Sequence, residues 1–431
     1  MLKILIFTQG CSANVADSEA MAGLLQEAGH ILVGDEDDAD IVIFNTCTVK
    51  GPTESFFRKK MAELRRKKKK VIIAGCIPQS EKVLKGLEEL PKIGTFQISR
   101  IIDAVNAVMQ DKEFAALERG TASPLLLPRI RKNSLVEIVP ISQGCTGCCT
   151  FCKTKQARGA LHSYPEAEIL QRVRKAVKEK VREFWITSQD NSVYGKDLGS
   201  AHATGRPLLA ELLKKIIAVP GEFKVRLGMA NPGDFMIMLD DIIELFKSPK
   251  MFKFIHVPVQ SGSDSVLRAM RRNHSAEDFI KIAEKFRKRI PDITIMTDMI
   301  CGFPGESAND FDESMMLLRK ARPDLVNVSR FWARPGTPAA RMKQLSGGVI
   351  KERGKQLMDE FKKIAAGNNK AWIGRKTVVF FSEQGKNGTI IGKNGSYKQV
   401  LVKGSESLID TENEVMIESC GAFDLRGKII Y

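Results

Sequence analysis

The sequence lacks the marks of a secreted or membrane-spanning protein. No apolar run approaches the roughly 20 residues that a helix needs to cross a bilayer. The opening MLKILIFTQG has no basic head, apolar middle and small-residue cleavage site, so we expect no signal peptide. The nine cysteines follow no regular framework in a chain of 431 residues, which argues against a disulfide scaffold. We therefore expect a cytoplasmic protein whose cysteines bind metal.

Histidines are also few, and basic side chains outnumber acidic ones. The five histidines form no HExxH pair, so this zinc-hydrolase motif is missing. Lysine and arginine total 67 against 51 acidic residues, which gives a formal charge of +16. This excess favours a polyanionic partner such as RNA, with a lysine-rich surface of a heat-adapted protein as the alternative. A basic run, Arg58–Lys60 and Arg65–Lys70, is by itself more typical of a solvated helix face.

The most informative motif is a CxxxCxxC spacing made by Cys145, Cys149 and Cys152. Three thiolates on one short loop can hold three irons of a cubic iron–sulfur cluster and leave the fourth iron open. An open metal position can bind a substrate or cofactor, whereas a closed four-cysteine site mostly stores electrons or braces a fold. The motif therefore predicts an enzyme that carries out radical chemistry.

The first 112 residues alternate between strand and helix patterns, which predicts an open parallel sheet with right-handed crossovers. The predicted strands and helices are Leu2–Thr8, Val15–Ala28, Asp40–Thr46, Thr53–Lys70 and Val71–Gly75. Cys11, Cys47 and Cys76 each follow the end of one of these strands by a few residues at most. A lone cysteine there is usually a small buried hydrophobe. Because ligands bind at the carboxyl edge of such sheets, three cysteines in equivalent positions predict a shared metal site.

Residues 111–134 read as a linker, and residues 135–340 resume the strand–helix alternation. The predicted strands are Val136–Ile141, Phe184–Ser188, Lys224–Met229, Phe254–Val259, Ile293–Ile300 and Leu325–Phe331. The predicted helices are Pro165–Arg182, Pro207–Ala218, Asp234–Lys247, Ser275–Arg289 and Glu306–Lys320. Six such units predict a partial (β/α)6 barrel that is open on one side. The three-cysteine loop follows the first strand, where catalytic loops of barrels lie.

After a charged helical stretch, residues 369–431 show short strands and glycine turns, which predict a small β-barrel. Four lysines and one aromatic residue could serve a phosphate backbone and a stacked base; they are Lys386, Lys393, Lys398, Lys403 and Tyr397. Exposed lysines on a β surface are an equally open interpretation. The fold class is thus α/β, with an open parallel-sheet domain, a partial barrel and a small C-terminal β-barrel.

Over nearly its whole length the chain resembles the radical S-adenosylmethionine methylthiotransferases. The resemblance is carried by the six cysteines in two patterns, by the domain order and by four further segments: Thr187–Asp190, His256–Ser263, Asp298–Glu306 and Arg334–Ala339. It implies three domains: a methylthiotransferase domain at 1–112, a radical domain at 135–340, and a TRAM-like RNA-binding domain at 369–431.

The resemblance also implies two [4Fe–4S] clusters and S-adenosylmethionine. The cluster on the CxxxCxxC loop would cleave this cofactor to a 5′-deoxyadenosyl radical, and the cluster on Cys11, Cys47 and Cys76 would present the sulfur that is methylated and transferred. The substrate that the resemblance implies is an adenosine, which is modified at carbon 2 of its base. A radical is needed there because this carbon bears an unreactive C–H bond. Polar contacts to the cofactor are expected from Gln189, Gln260 and Asp298, and Gly302 would let the backbone approach it. An ordinary turn or strand-end role remains open for each of these four.

The segment Lys153–Gly159 resembles the archaeal and eukaryotic branch that acts on N6-threonylcarbamoyladenosine beside the anticodon of tRNA. Isopentenyladenosine tRNA and a ribosomal protein side chain remain the alternatives within the family. A non-catalytic RNA-binding protein with structural metal sites is the alternative outside it, and this would require four ligands per site. Cys148 is interpreted as a non-ligand, and Cys301 and Cys420 as structural. We expect a monomer with tRNA and an electron donor as partners and no membrane.

Overall fold

A computed structural model describes residues 1–48, 51–81, 84–199 and 205–430. The chain forms two compact units. The first comprises Met1–Gln189 with the short segments Asp197–Gly199 and Arg334–Thr337. The second comprises Asp190–Lys196, Ser200–Ala333 and Pro338–Tyr431.

The first unit opens with a six-stranded parallel sheet in the order β2-β1-β3-β4-β5-β6. Its strands are β1 (Lys3–Thr8), β2 (Ile31–Leu32), β3 (Ile41–Thr46), β4 (Lys70–Gly75), β5 (Lys92–Ile93) and β6 (Ala115–Ala116). Its helices are α1 (Ser12–Glu27), α2 (Gly51–Arg66), α3 (Cys76–Ser80) and α4 (Ile101–Met109). The predicted parallel sheet is therefore confirmed.

The two faces of this sheet build two separate cores. On one face Ile41 and Ile43 pack with apolar residues of α1 and α4. On the other face Val42 and Phe44 pack with residues of α2 such as Phe57. Every residue of β3 is buried, because successive side chains of a central strand enter opposite cores.

Two predictions for this unit were wrong in detail. The helix predicted as Thr53–Lys70 ends at Arg66, and Lys70 is instead the first residue of β4. The run of lysines and arginines favours helix locally, but the buried strand needs the chain to reverse at Lys68, whose φ is +53°. The predicted linker 111–134 also contributes β6 to the edge of the sheet.

Acidic partners neutralise much of the basic run. Lys67 lies 3.0 Å from Glu36 and 2.9 Å from Asp37, and Lys60 also pairs with Glu36. At the end of the run, Lys70 lies 2.8 Å from Asp111. The run is thus tied to its own domain at several points, as a solvated helix face would be.

The rest of the first unit holds the parallel pair β7 (Val136–Pro140) and β10 (Glu183–Thr187). Between these strands lie, in chain order, β8 (Ser142–Gln143), α5 (Thr154–Arg158), β9 (His162–Ser163) and α6 (Glu166–Lys178). Strand β7 buries Glu137, whose two carboxylate oxygens accept from Arg172 of α6 at 2.6 and 2.9 Å. This bidentate pair fixes α6 against the strand because each charge satisfies the other away from water.

The second unit continues the strand–helix alternation. Its elements are α7 (Leu209–Ile217), β11 (Lys224–Leu227), α8 (Pro232–Ile237), α9 (Leu239–Leu245), β12 (Phe254–His256), α10 (Asp264–Ala269), α11 (Ala276–Arg289), β13 (Thr294–Cys301), α12 (Ala308–Ala321) and β14 (Leu325–Arg330). Strands β12, β13 and β14 form a parallel sheet. The helix predicted as Asp234–Lys247 is two helices, and the first starts earlier, with Pro232 at its N-terminus, where proline is favoured.

A long helix, α13 (Gly347–Lys370), precedes a closed five-stranded barrel in the order β15-β16-β17-β19-β18. Its strands are β15 (Lys376–Gln384), β16 (Thr389–Asn394), β17 (Gln399–Lys403), β18 (Glu412–Cys420) and β19 (Leu425–Ile429). The sequence pattern predicts four of these strands, at Thr377–Ser382, Thr389–Ile391, Lys398–Val402 and Glu414–Glu418. It does not indicate the fifth, LRGKI, because glycine and charges interrupt its apolar alternation. The α/β fold class with parallel sheets and a C-terminal β-barrel is confirmed.

The prediction that Lys398 contacts phosphate is wrong. Its side chain is buried, and the ammonium donates to Asp324 at 2.7 Å and to Asn369 at 3.0 Å. The ring of Tyr397 packs against Phe252, with 4.8 Å between the ring centroids. Both residues therefore attach the small barrel to the rest of the second unit. Among the described residues, no helix combines the length and the apolar character needed to cross a bilayer.

Candidate active site

Three neighbouring strands deliver Cys11, Cys47 and Cys76 to one edge of the sheet. Cys11 is the residue before α1, Cys47 follows the last residue of β3, and Cys76 begins α3 directly after β4. The thiols of Cys47 and Cys76 are buried, whereas Cys11 is exposed. We call these residues the N-terminal cysteine group.

The side chain of Asn14 connects two members of this group. Its carbonyl oxygen lies 3.6 Å from the Cys11 sulfur and 3.8 Å from the Cys76 sulfur. The amide is fully buried and donates to the Thr46 carbonyl at 2.7 Å, while Asn45 donates to the Asn14 backbone at 2.8 Å. Because these bonds fix the amide, its oxygen faces the two thiols.

Gly10 brings the third cysteine into the same place. Its φ is +111°, and a Cβ atom built on it would lie 2.8 Å from the Cys47 Cβ and 3.0 Å from the Cys47 sulfur. Such contacts are too close for any residue other than glycine. The loop before Cys11 therefore passes directly over Cys47.

The thiols of this group are not arranged for a single metal ion. In the described ranges no three His, Cys, Asp or Glu side chains converge closely enough to hold one. A cubic cluster spreads its thiolates over separate irons, so its ligands need not meet at one point. Burial raises the pKa of Cys76 to about 12, so a bound cation would be required to keep this thiol ionised at neutral pH.

The second group of cysteines lies on the loop after β8, which we call the radical loop (Cys145–Cys152). The Gly147 amide donates to the Cys145 sulfur at 3.2 Å, and the Cys152 amide donates to the Cys149 carbonyl at 3.2 Å. A Cβ on Gly147 would lie 3.3 Å from the Cys145 sulfur and 3.8 Å from that of Cys149. The loop thus curls so that the sulfurs of Cys145 and Cys149 both lie next to Gly147, a position without a side chain. Cys148 is exposed.

The predicted contact Gln189 supports the radical loop. Its side-chain oxygen accepts from the Gly144 amide at 2.7 Å, immediately before Cys145. The Lys155 ammonium donates to the Cys145 carbonyl. The start of the loop is therefore held by two polar side chains.

Both cysteine groups belong to the first unit, where α3 packs against α5. Helix α3 begins at Cys76, and α5 begins two residues after Cys152. At the end of α5, Arg158 donates to Asp17 at 2.6 Å and to the Asn14 side chain at 3.2 Å. The chain that follows the radical loop therefore reaches the N-terminal cysteine group. Neither Asn14 nor Arg158 was identified from the sequence.

The other three predicted cofactor contacts lie in the second unit. Asp298 of β13 receives a hydrogen bond from Asn327 at 2.8 Å and lies 3.0 Å from His256 Nε2. Gln260 has a φ of +72°, and its backbone amide donates to the Asp298 carbonyl at 2.8 Å. His256 of β12, Asp298 of β13 and Asn327 of β14 form one polar row, of which only Asp298 was singled out from the sequence.

Gly302 has a packing reason for being glycine. Its φ is +77°, and an added Cβ would lie 2.6 Å from a side-chain carbon of Ile350. Its amide donates to the Glu306 carboxylate at 2.8 Å, and Arg353 donates to the same carboxylate oxygen. The turn is therefore held by a buried ion pair that sequence reasoning missed. Cys301 is buried, and Cys420 is half-buried at the barrel core.

Comparisons with known proteins agree with this arrangement. Residues 139–318 match the Radical SAM superfamily, and residues 3–95 match the Uncharacterized protein family UPF0004. The threonylcarbamoyladenosine tRNA methylthiotransferase of Danio rerio is 39% identical over 99% of this chain and 78% of its own length. The proteins of the same name from Drosophila melanogaster and Homo sapiens are 39% and 37% identical over 99% of the chain. The chain belongs to the threonylcarbamoyladenosine tRNA methylthiotransferase family.

Solved structures of other proteins share the fold of this chain. The radical S-adenosylmethionine methyltransferase TsrM from Kitasatospora setae, with tryptophan and a SAM analogue bound, superposes with a TM-score of 0.53. The match covers 84% of this chain and 89% of TsrM at 12% sequence identity. At that identity the likeness shows a common fold alone.

The radical SAM match implies a [4Fe–4S] cluster and S-adenosylmethionine for this methylthiotransferase family member. The radical loop fits such a cluster. Cys145, Cys149 and Cys152 lie on one tight loop, and Gly147 leaves space between two of the sulfurs and donates a hydrogen bond to one. Backbone amides that donate to the sulfurs of such a site tune its potential.

Proposed function

We propose that this chain transfers a methylthio group to carbon 2 of N6-threonylcarbamoyladenosine beside the anticodon of tRNA. The names of relatives that match over 99% of this chain support this activity. The observation that carries the proposal is that one compact unit holds both cysteine groups, with α3 and α5 in contact between them. A methylthio transfer needs a radical source and a sulfur source near each other, and two such groups are suited to these two tasks.

In this proposal the radical loop binds a [4Fe–4S] cluster together with S-adenosylmethionine, and the N-terminal cysteine group binds a second one. When bound, these groups supply the one-electron chemistry and the sulfur that side chains lack. The chain's own residues position them. Gln189 and Lys155 hold the start of the radical loop, and Asn14 holds two thiols of the other group.

The cofactor contacts proposed for Gln189, Gln260, Asp298 and Gly302 have structural support of different kinds. Asp298 is half-exposed and pre-oriented by Asn327, so its carboxylate is ready to accept further hydrogen bonds. Gln189 uses its oxygen for the radical loop and keeps its amide donors for a ligand. Gly302 contributes its backbone alone, because its φ of +77° and its contact with Ile350 leave no room for a side chain.

The remaining features of the proposal concern domains, partners and location. We assign residues 1–112 to methylthio transfer, 135–340 to radical formation and 369–431 to tRNA binding. The charge of +16 on the whole chain supports a tRNA partner. An electron donor must supply the reducing electron. None of the nine cysteines forms a disulfide, which suits a reducing compartment such as the cytoplasm. We propose a monomer as the working form.

An anaerobic reaction would test the proposed activity. Reconstituted protein, S-adenosylmethionine and a reductant would be incubated with one tRNA carrying threonylcarbamoyladenosine and another carrying isopentenyladenosine, followed by nucleoside mass spectrometry. We expect a methylthio mass gain on the first nucleoside alone. A gain only on the second would disprove the substrate, and no gain with intact cofactor cleavage would point to a protein substrate.

Two cysteine variants separate the two sites. Cys149→Ala should abolish cofactor cleavage and transfer together, because the radical loop then has two ligands. Cys47→Ala should abolish methylthio transfer while part of the cofactor cleavage survives. Full transfer activity in Cys47→Ala would show that the N-terminal cysteine group does not hold a required centre. Iron and sulfide content below that of a two-cluster protein in the unmodified chain would lead to the same conclusion.

A further inference from the structure

Arg158 is among the most deeply buried charged side chains of the first unit. It is the last residue of α5, only 3% exposed, and Gly159 at φ +76° turns the chain away directly after it. An arginine remains charged even when it is buried, because its pKa lies far above neutral. A side chain this deeply buried cannot contact tRNA. Its charge must therefore act inside the protein.

The partners of Arg158 lie at the N-terminal cysteine group. The guanidinium donates to Asp17 at 2.6 Å and to the Asn14 oxygen at 3.2 Å. The same Asn14 oxygen lies within 3.8 Å of the sulfurs of Cys11 and Cys76. One amide oxygen thus joins the arginine and two of the thiols in a single network.

The positive charge of Arg158 suits this network to a bound cluster. Asp17 neutralises Arg158 while the thiols are protonated, but a bound cluster requires all three cysteines as thiolates. A fixed cation beside buried thiolates is then strongly stabilising, because the surroundings have a low dielectric constant. A second buried arginine, Arg334, lies close enough to Cys47 to interact with its charge, and it pairs with Glu54 at 3.2 Å. Two buried positive charges therefore lie near this group.

We propose that Arg158 is a positioning residue that stabilises the iron–sulfur centre of the N-terminal cysteine group through its charge and its bond to Asn14. This inference rests on the proposed second centre. Arg158 belongs to the segment Lys153–Gly159, whose sequence indicates the RNA substrate. In this proposal Arg158 serves the sulfur-donating site and makes no contact with the RNA base.

The test uses the full chain with Cys145, Cys149 and Cys152 replaced by alanine, so that any iron signal comes from the N-terminal group. In this background Arg158→Met and Arg158→Lys are compared with Arg172→Met. Arg172 is a matched control, because it is equally buried at 3% exposure and also pairs with a carboxylate, Glu137. Iron and sulfide per chain, the midpoint potential and the tRNA affinity are measured for each.

We expect Arg158→Met to lose iron or to shift the midpoint potential to more negative values, because the reduced centre carries more negative charge. Arg158→Lys should restore part of this loss, and Arg172→Met should lower only thermal stability. Equal effects of Arg158→Met and Arg172→Met on iron and potential would overturn the inference, as would weaker tRNA binding in Arg158→Met alone. If the variant that carries only the Cys145, Cys149 and Cys152 replacements already lacks iron, the N-terminal cysteine group holds no centre. That result would disprove both the second centre and this inference.

Discussion

Replacing Gly10 with alanine tests whether the loop over Cys47 is required for the N-terminal cysteine group. The backbone φ of +111° already disfavours alanine by about 1–3 kcal/mol. The new methyl would also lie 2.8 Å from the Cys47 Cβ, whereas ordinary contacts begin at 3.4 Å. Forcing these atoms apart is a form of overpacking, which costs about 1–3 kcal/mol. We therefore expect a total destabilisation of about 2–6 kcal/mol.

Gly29→Ala separates the two contributions. Gly29 lies beyond the opposite end of α1 with φ +82°, and an added Cβ would meet nothing within 4 Å. Gly29→Ala should therefore lose only the stability that alanine costs at a positive φ, about 1–2 kcal/mol. The difference between the two variants measures the contact with Cys47.

Two measurements check this prediction. Urea unfolding of the apo chain, followed by circular dichroism, gives the stability of each variant. Iron and sulfide content in the Cys145/Cys149/Cys152→Ala background reports on the N-terminal centre. We expect Gly10→Ala to lose most of that iron and Gly29→Ala to keep it. Equal stability and equal iron in the two variants would refute the close approach of Gly10 to Cys47.

Two further predictions concern buried charges. Lys398→Met leaves Asp324 buried without its cation and should cost about 3–5 kcal/mol in urea unfolding, while tRNA affinity at equilibrium stays unchanged. A large loss of affinity without loss of stability would restore Lys398 as a phosphate contact. Burial lowers the pKa of His274 to about 4, so the unfolded chain binds its proton first as the pH falls. Stability should therefore decrease by about 2 kcal/mol between pH 7 and pH 5, and His274→Gln should remove this decrease. The same acid sensitivity in that variant would assign the decrease to other groups.

The positions of the six cysteines could be predicted because they depend on topology. Parallel strands bring their carboxyl ends to one edge, so Cys11, Cys47 and Cys76 had to lie near each other once three neighbouring strands were recognised. The short spacing of the radical loop needs no tertiary information at all. Main-chain direction and local spacing are the properties that a single sequence records best.

The residues that hold these cysteines could not be predicted in the same way. Asn14 lies on α1 and reads as an ordinary polar residue of a first helical turn, and two of its partners, Asn45 and Arg158, are 31 and 144 residues away. Lys398 reads as one more surface lysine until Asn369 of α13 and Asp324, directly before β14, are seen to accept its hydrogen bonds. Burial of a polar side chain depends on which helices and strands pack together. Periodicity in the sequence does not indicate these contacts.

The segment Lys153–Gly159 shows why a motif can indicate a substrate without touching it. Lys153 donates to the Pro335 carbonyl at 3.0 Å, and Gln156 donates to the Gly336 carbonyl at 2.8 Å. Lys155 donates to the radical loop and Arg158 donates to Asp17. The long polar side chains of the segment therefore form hydrogen bonds within the first unit. A phosphate contact would lower the salt slope of tRNA binding by about 0.9 when its lysine is removed. We expect Lys153→Met to leave that slope and the affinity unchanged while transfer slows, because the variant loosens Arg334–Thr337 against α5. A reduced slope in Lys153→Met would show instead that this segment reads the tRNA directly.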